Sequence, residues 1–173
     1  TYALGALDIN GNLDLDAAIT SAASIDVSGT SNLGADVTTS GTQTYTGATT
    51  LSGGDRTLTG STMNFGSTVA GGTNALAISG NLDLDGAATG LTSLTVSGTS
   101  NLGANVTTSG TQTYTGATTL SGGDRTLEGT TVNFGAAVTG TGSHDLTITG
   151  NLDLDGALTD VVDLRVSGTP NLR

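Results

Sequence analysis

Thr42-Gln-Thr-Tyr-Thr-Gly-Ala-Thr-Thr-Leu-Ser-Gly-Gly-Asp-Arg-Thr-Leu58 returns, letter for letter, at Thr111 to Leu127. Neighbouring motifs keep the same sixty-nine-position offset. Ser28-Gly-Thr-Ser-Asn-Leu-Gly34 recurs at Ser97 to Gly103, and Gly11-Asn-Leu-Asp-Leu-Asp16 recurs at Gly80 to Asp85. The latter comes back once more at Gly150 to Asp155, one position late, with one residue inserted between Thr139 and Asp145. The architecture therefore has to be read from the period. The reading is one continuous domain over 1–173, with repeat 1 at 1–69, repeat 2 at 70–138 and a partial repeat 3 at 139–173.

A shorter beat runs inside each copy. Ile9, Val27, Tyr45 and Met63 fall at every eighteenth position, and so do Leu15, Leu33, Leu51 and Val69. The next copy restarts the two columns at Ile78 and Leu84, and the third at Ile148 and Leu154. Each restart comes early, so the rung at each join would be two or three positions short. Around the columns the residues alternate, as in Leu7-Asp8-Ile9 and Leu82-Asp83-Leu84. Alternation with period two means a strand with opposite faces in different surroundings. Thr, Val and Ile favour strands, and the Gly, Asn, Asp and Ser between them favour turns. The pattern predicts an all-β, single-stranded parallel β-helix, a β-solenoid of about ten rungs, most of them eighteen positions long. Parallel crossovers are overwhelmingly right-handed, so a right-handed coil is expected. At ~4.8 Å per rung the rod would be about 50 Å long. Tyr45 and Tyr114 fall in aliphatic columns, so their rings belong inside or at a corner, each hydroxyl reaching a backbone group or water.

Composition agrees with a thin core shared by many short strands. Hydrophobic residues make up 35% and charged residues 11%, both below the usual globular range. The formal charge of −11, with four Arg and no Lys, repels phosphate backbones and argues against nucleic acid as a partner. No apolar run reaches the roughly 20 residues of a membrane helix, so no membrane insertion is expected. Without Cys there is neither a disulfide framework nor thiol chemistry.

The runs Ser-Gly-Asn-Leu-Asp-Leu-Asp-Gly (79–86), Leu-Thr-Val-Ser-Gly-Thr (94–99) and Thr-Gln-Thr-Tyr-Thr-Gly-Ala-Thr-Thr-Leu (42–51) resemble repeats of bacterial filamentous haemagglutinin-like exoproteins. These adhesins are exported by two-partner secretion or as autotransporters. The resemblance spans essentially the whole chain. It implies a right-handed β-helical shaft, secreted to the bacterial cell surface and acting in adhesion or aggregation. It carries over no binding residue, because the matching motifs are architectural.

Several residue groups invite sharper readings. Asn81, Asp83 and Asp85 before Gly86, and Asn151, Asp153 and Asp155 before Gly156, match the opening of a calcium loop. The loop needs Glu at its twelfth position, where Thr92 and Val162 stand. The plainer reading is a solvated acidic stripe, because the intervening Leu residues alternate like strand residues. The pairs Thr44/Thr46 and Thr113/Thr115 suggest an ice-binding array. Asp8, Asp26 and Asn64 on the neighbouring rungs would interrupt it. Gly53-Gly54-Asp55-Arg56 reads as a turn, with Gly at positive φ and Asp capping its own backbone. His144 is the sole histidine and lies in the insertion, without a repeated partner that would make it a base. Asn105-Val-Thr107 is a lone glycosylation sequon, and copy one has Asp36 in place of Asn105.

A tandem repeat multiplies identical residues, whereas catalysis needs one unique constellation. The expectation is a non-enzymatic shaft segment without catalytic, metal or cofactor site. Its partners would be neighbouring repeats of a longer chain or end-to-end copies of itself. The alternatives are a subunit of a self-assembling extracellular filament, and a calcium- or carbohydrate-binding surface module.

Overall fold

The computed structural model describes residues 4–173. It is an all-β solenoid of about nine turns, in which every strand pairing is parallel. At ~4.8 Å per turn the rod is about 43 Å long. Each turn has three faces. Face I stacks Ile9, Val27, Tyr45, Phe65, Leu84, Leu102 and Leu120. Face II runs Leu13, Ser31, Thr49, Val69, Ala88, Val106, Leu127, Ile148 and Val166. Face III runs Ile19, Val37, Leu58, Ile78, Val96, Tyr114, Phe134, Leu154 and Leu172.

These ladders correct the expected columns. The regular steps hold over the first turns of each copy, as in Ile9–Val27–Tyr45 and Ile78–Val96–Tyr114, but fail at its last turn, where Val69 pairs with Thr49 rather than Leu51 and Val132 with Gln112 rather than Tyr114. The last turn of each copy and the joins between copies depart from the beat together. Met63 pairs with Gln43 and Leu82, and Phe65 takes its expected place above Tyr45. Ile78 stacks on Leu58, on a different face from Ile9, and Leu84 stacks on Phe65 rather than Val69. No rung at a join is shortened. A short rung would forfeit strand pairing, whereas a longer one needs only a bulge, and the ladder slips between Ser79 and Asn81 and between Glu128 and Thr131. The turns from Tyr45 to Phe65 and from Val37 to Leu58 are longer than the regular beat, by two and three positions. Hence about nine turns form, not ten.

The consequence is a rotation between copies. From Ile9 the chain makes three turns on face I to Phe65, passes Val69 on face II, and reaches Ile78, the copy of Ile9, on face III. One copy therefore spans three and two-thirds turns. Each copy is turned by a third of a revolution from the last. Leu15 lies on face II, its copy Leu84 on face I, and the third copy's Leu154 on face III.

The interior tolerates this because the three faces are built alike. Val27, Leu33, Val37, Leu58, Val96, Leu102 and Leu120 are all fully buried. Each such side chain contributes about 1.5–3 kcal/mol on leaving water. Tyr45 stacks on Phe65 with ring centroids 5.4 Å apart, and Tyr114 stacks on Phe134 at 5.3 Å. The first pair lies on face I and the second on face III. The same packing is thus reproduced in two settings a third of a turn apart.

Candidate functional site

The acidic motif has a structural use. Asn12, Asn81 and Asn151 each accept, through Oδ1, the backbone N–H of Thr30, Thr99 and Thr169 on the next turn, at 3.0, 2.9 and 2.9 Å. Two residues on, the Oδ1 atoms of Asp14, Asp83 and Asp153 accept from the Nδ2 groups of Asn32, Asn101 and Asn171 at 2.7–2.8 Å. The Gly-Asn-Leu-Asp run of one turn and the Gly-Thr-x-Asn run above it form one interlocking unit. Gly29, Gly98 and Gly168 complete it, because a Cβ there would collide with the Asn side chain below.

Asn81, Asp83 and Asp85 alternate outward between the buried Leu82 and Leu84 as expected, but the rotation puts each copy's acidic segment on a different face. Asp14 lies on face II, Asp83 on face I and Asp153 on face III. Asn81, Asp83 and Asp85 therefore do not align with Asn151, Asp153 and Asp155. Among the described residues no group of three or more His, Asp or Glu side chains is placed to hold a metal ion.

Asx side chains serve other corners in the same way. Asp36 and Asn105 accept from Thr57 and Thr126, and Asp55 and Asp124 from Ala75 and Asp145, at 2.8–2.9 Å. Where a corner interrupts the ladder, a side-chain oxygen satisfies the orphaned N–H. Asp55 thus caps the next turn and not its own backbone, as the sequence had suggested. The glycines of that turn do take positive φ: 69° and 126° at Gly53 and Gly54, 74° and 132° at Gly122 and Gly123. They let the loop curl around the arginine. Arg56 Nε donates to Ser52 O at 3.1 Å and Arg125 Nε to Ser121 O at 3.0 Å. Burial lowers the Arg125 pKa, opposed by Asp124.

Thr113 has Thr95 below it and Asn133 above it on face III. Thr44 stacks between Asp26 and Asn64, so the hydroxyl array is broken on face I. A different run, Thr119–Thr139–Thr159, does stack on that face, with Oγ1 atoms of Thr139 and Thr159 3.1 Å apart. Its members come from different parts of the repeat, so only the true register reveals it. His144 pairs in the ladder with Val161. Among the described residues no hydrogen bond links it to a serine or a carboxylate. Asn105 uses Oδ1 at its corner, the role of Asp36 in copy one.

The least expected polar group is inside. Gln43 and Gln112 are fully buried. The Nε2 of Gln43 donates to Thr59 O at 2.8 Å and Val37 O at 3.3 Å, while Oε1 accepts from the Tyr45 hydroxyl at 3.0 Å. Gln112 repeats this with Glu128 O, Val106 O and Tyr114 at 2.7, 3.2 and 2.9 Å. Each tyrosine hydroxyl therefore reaches a glutamine side chain rather than a backbone group. Burial raises both tyrosine pKa values far above 10.0. The signal was present in Gln43-Thr44-Tyr45: a residue two before an inward Tyr also points inward.

A family model described as repeats of unknown function (DUF5649) matches residues 1–38. That stretch contains one whole interlocking unit, Asn12 and Asp14 with Thr30 and Asn32. No curated protein and no solved structure matches the chain.

Proposed function

We propose that this chain is a non-enzymatic spacer: a shaft segment of a secreted, cell-surface bacterial adhesin that holds a binding tip away from the cell. The observation that supports this reading most is the reuse of one interior in successive copies. The Gln–Tyr–Phe cluster and the Asn–Thr, Asp–Asn interlock recur with the same bonds on different faces. Such a design conserves the rod and rotates the surface. A dedicated ligand face would instead keep its surface aligned from copy to copy. The resemblance to filamentous haemagglutinin-like repeats supplies the cellular setting of the proposal.

Each added copy should lengthen the rod by ~18 Å, three and two-thirds turns at ~4.8 Å. The test displays an epitope beyond the chain with one, two or three copies and measures its height above the anchor. Height rising in equal steps is expected. A height independent of copy number refutes the spacer. For the setting, antibodies to the chain should label intact cells of the source bacterium. Labelling only after lysis refutes the surface location.

A further inference from the structure

Arg56 and Arg125 occupy equivalent corners of successive copies, and one substitution separates them in charge. Asp36 stands beside Arg56, and its copy beside Arg125 is Asn105. The surrounding bonds are otherwise repeated. Asp36 Oδ1 and Asn105 Oδ1 accept the N–H groups of Thr57 and Thr126, each at 2.9 Å. Each arginine donates through Nε to the serine carbonyl four residues back, inside a Gly-Gly turn of positive φ.

The substitution leaves a covered cation without a counter-ion. Asp36 Oδ1 lies 3.6 Å from Arg56 Nη1, and Arg165 and Arg173 have carboxylate partners of their own. Among the described residues Arg125 alone of the four arginines forms no ion pair, although it is the most covered of them, at 8% exposed. Its Nε and Nη2 both donate to Ser121 O. Its Nη1, the atom that meets Asp36 in the first copy, has no partner in the protein. The neighbouring acids are committed elsewhere. Asp124 Oδ1 accepts the Asp145 N–H at 2.9 Å, and Asp145 Oδ2 holds Arg165 at 2.7 Å.

Asn105 supplies a second unused donor. Its Oδ1 keeps the place of Asp36 Oδ1 at the corner, so the planar amide sets Nδ2 where Asp36 carries its other oxygen. That Nδ2 has no partner in the protein. A covered charge lacking a partner is costly, and burial does lower the Arg125 pKa, opposed by Asp124. A planar carboxylate matches the guanidinium best, and a carboxylate already fills the equivalent place beside Arg56. The formal charge of −11 opposes polyanions, which narrows the ligand to a small monoanion.

We infer that Arg125 Nη1 and Asn105 Nδ2 form a binding site for a small carboxylate, which takes the place that the Asp36 side chain fills beside Arg56. The inference does not depend on the spacer reading. The test titrates the whole chain at neutral pH with sodium acetate, and in parallel with sodium chloride at equal ionic strength, following the Nε–Hε signals of Arg56 and Arg125 by NMR. Acetate should move the Arg125 signal saturably and leave Arg56 in place; chloride should move neither. Asn105→Asp fills the site with the protein's own carboxylate and should weaken the acetate response by about tenfold or more. Asp36→Asn should give Arg56 a response like that of Arg125. Both variants carry a residue that the other copy already has at its corner, so the fold accommodates them. Three results overturn the inference: no saturable acetate shift at Arg125, an equal shift with chloride, or an acetate response that survives Asn105→Asp unchanged.

Discussion

Replacing Gln43 by Leu probes the polar centre of the core without opening a cavity, since the two side chains are similar in size. The change strands the Tyr45 hydroxyl, which has Gln43 Oε1 as its acceptor at 3.0 Å inside a fully buried residue. It also takes the 2.8 Å donor from Thr59 O. Each buried group left without a partner costs about 1–3 kcal/mol, so Q43L should destabilise by about 2–4 kcal/mol. Tyr45→Phe alone orphans Gln43 Oε1 and should cost about 1–2 kcal/mol. In the double variant neither the hydroxyl nor the amide oxygen remains to be orphaned. Its cost should fall short of the sum by at least about 1 kcal/mol. The repeat supplies an internal replicate: Q112L and Y114F should give the same cycle, and Q43L/Q112L should be additive within about 0.5 kcal/mol. Urea unfolding followed by far-ultraviolet circular dichroism reads all of these. Additivity of Q43L with Y45F, or a neutral Q43L, would refute the polar cluster.

Other expectations follow from single contacts. Gly29→Ala places a Cβ against Asn12 Oδ1 and Gly11 O, while Gly11→Ala meets nothing within 4 Å; the first should cost about 1–3 kcal/mol and the second under about 0.5, read by urea midpoints. Alkali should unfold the chain through its tyrosines. Their folded pKa values lie above the ordinary 10.0, so above that pH the unfolded state loses protons that the folded state keeps. Stability is then full below pH 10 and falls by about 1.4 kcal/mol per pH unit for each of Tyr45 and Tyr114; Y114F should halve this slope, and an unchanged slope would contradict the burial. Asp36→Asn copies what Asn105 already does at its corner, so its stability should change by no more than about 0.5 kcal/mol, with only the 3.6 Å contact between the exposed Asp36 carboxylate and the largely covered Arg56 lost. Millimolar calcium should leave the melting temperature unchanged, because the aspartates are distributed over three faces; a rise would revive the cation reading.

Strand alternation made the parallel solenoid legible, since Leu-Asp-Leu and Ile-Asp-Val triplets state which side is wet. The regular beat placed the first ladders of each copy correctly, such as Val27 above Ile9 and Leu102 above Leu84, but failed at each copy's last turn, where Phe65 and not Met63 lies above Tyr45 and Phe134 and not Val132 above Tyr114. The joins failed for a physical reason. Identical copies suggest identical orientation, and that assumption forces a shortened rung at each junction. Phe65 held the remedy: it lies just beyond Met63 and continues the inward alternation, so the column runs Tyr45, Phe65, Leu84 with every step longer than the regular beat. The same phase error hid that the acidic segments of successive copies lie on different faces. The Asx corner bonds were illegible locally, since donor and acceptor lie 18 to 21 residues apart.

The central claim is the third-of-a-turn rotation between copies, and two distances test it. The chain has no Cys, so paired cysteines can carry spin labels at chosen sites. Thr44 and Thr119 share face I through Asn64, Asp83 and Asn101. Thr113, the copy of Thr44, lies on face III beside Thr95 and Asn133. Pulsed electron–electron double resonance should give about 19 Å along the axis for Thr44/Thr119, four turns apart, and a distance longer by roughly 10 Å for Thr44/Thr113. The opposite order, with Thr113 directly above Thr44 and Thr119 round the corner, would contradict the rotation and restore copies in phase.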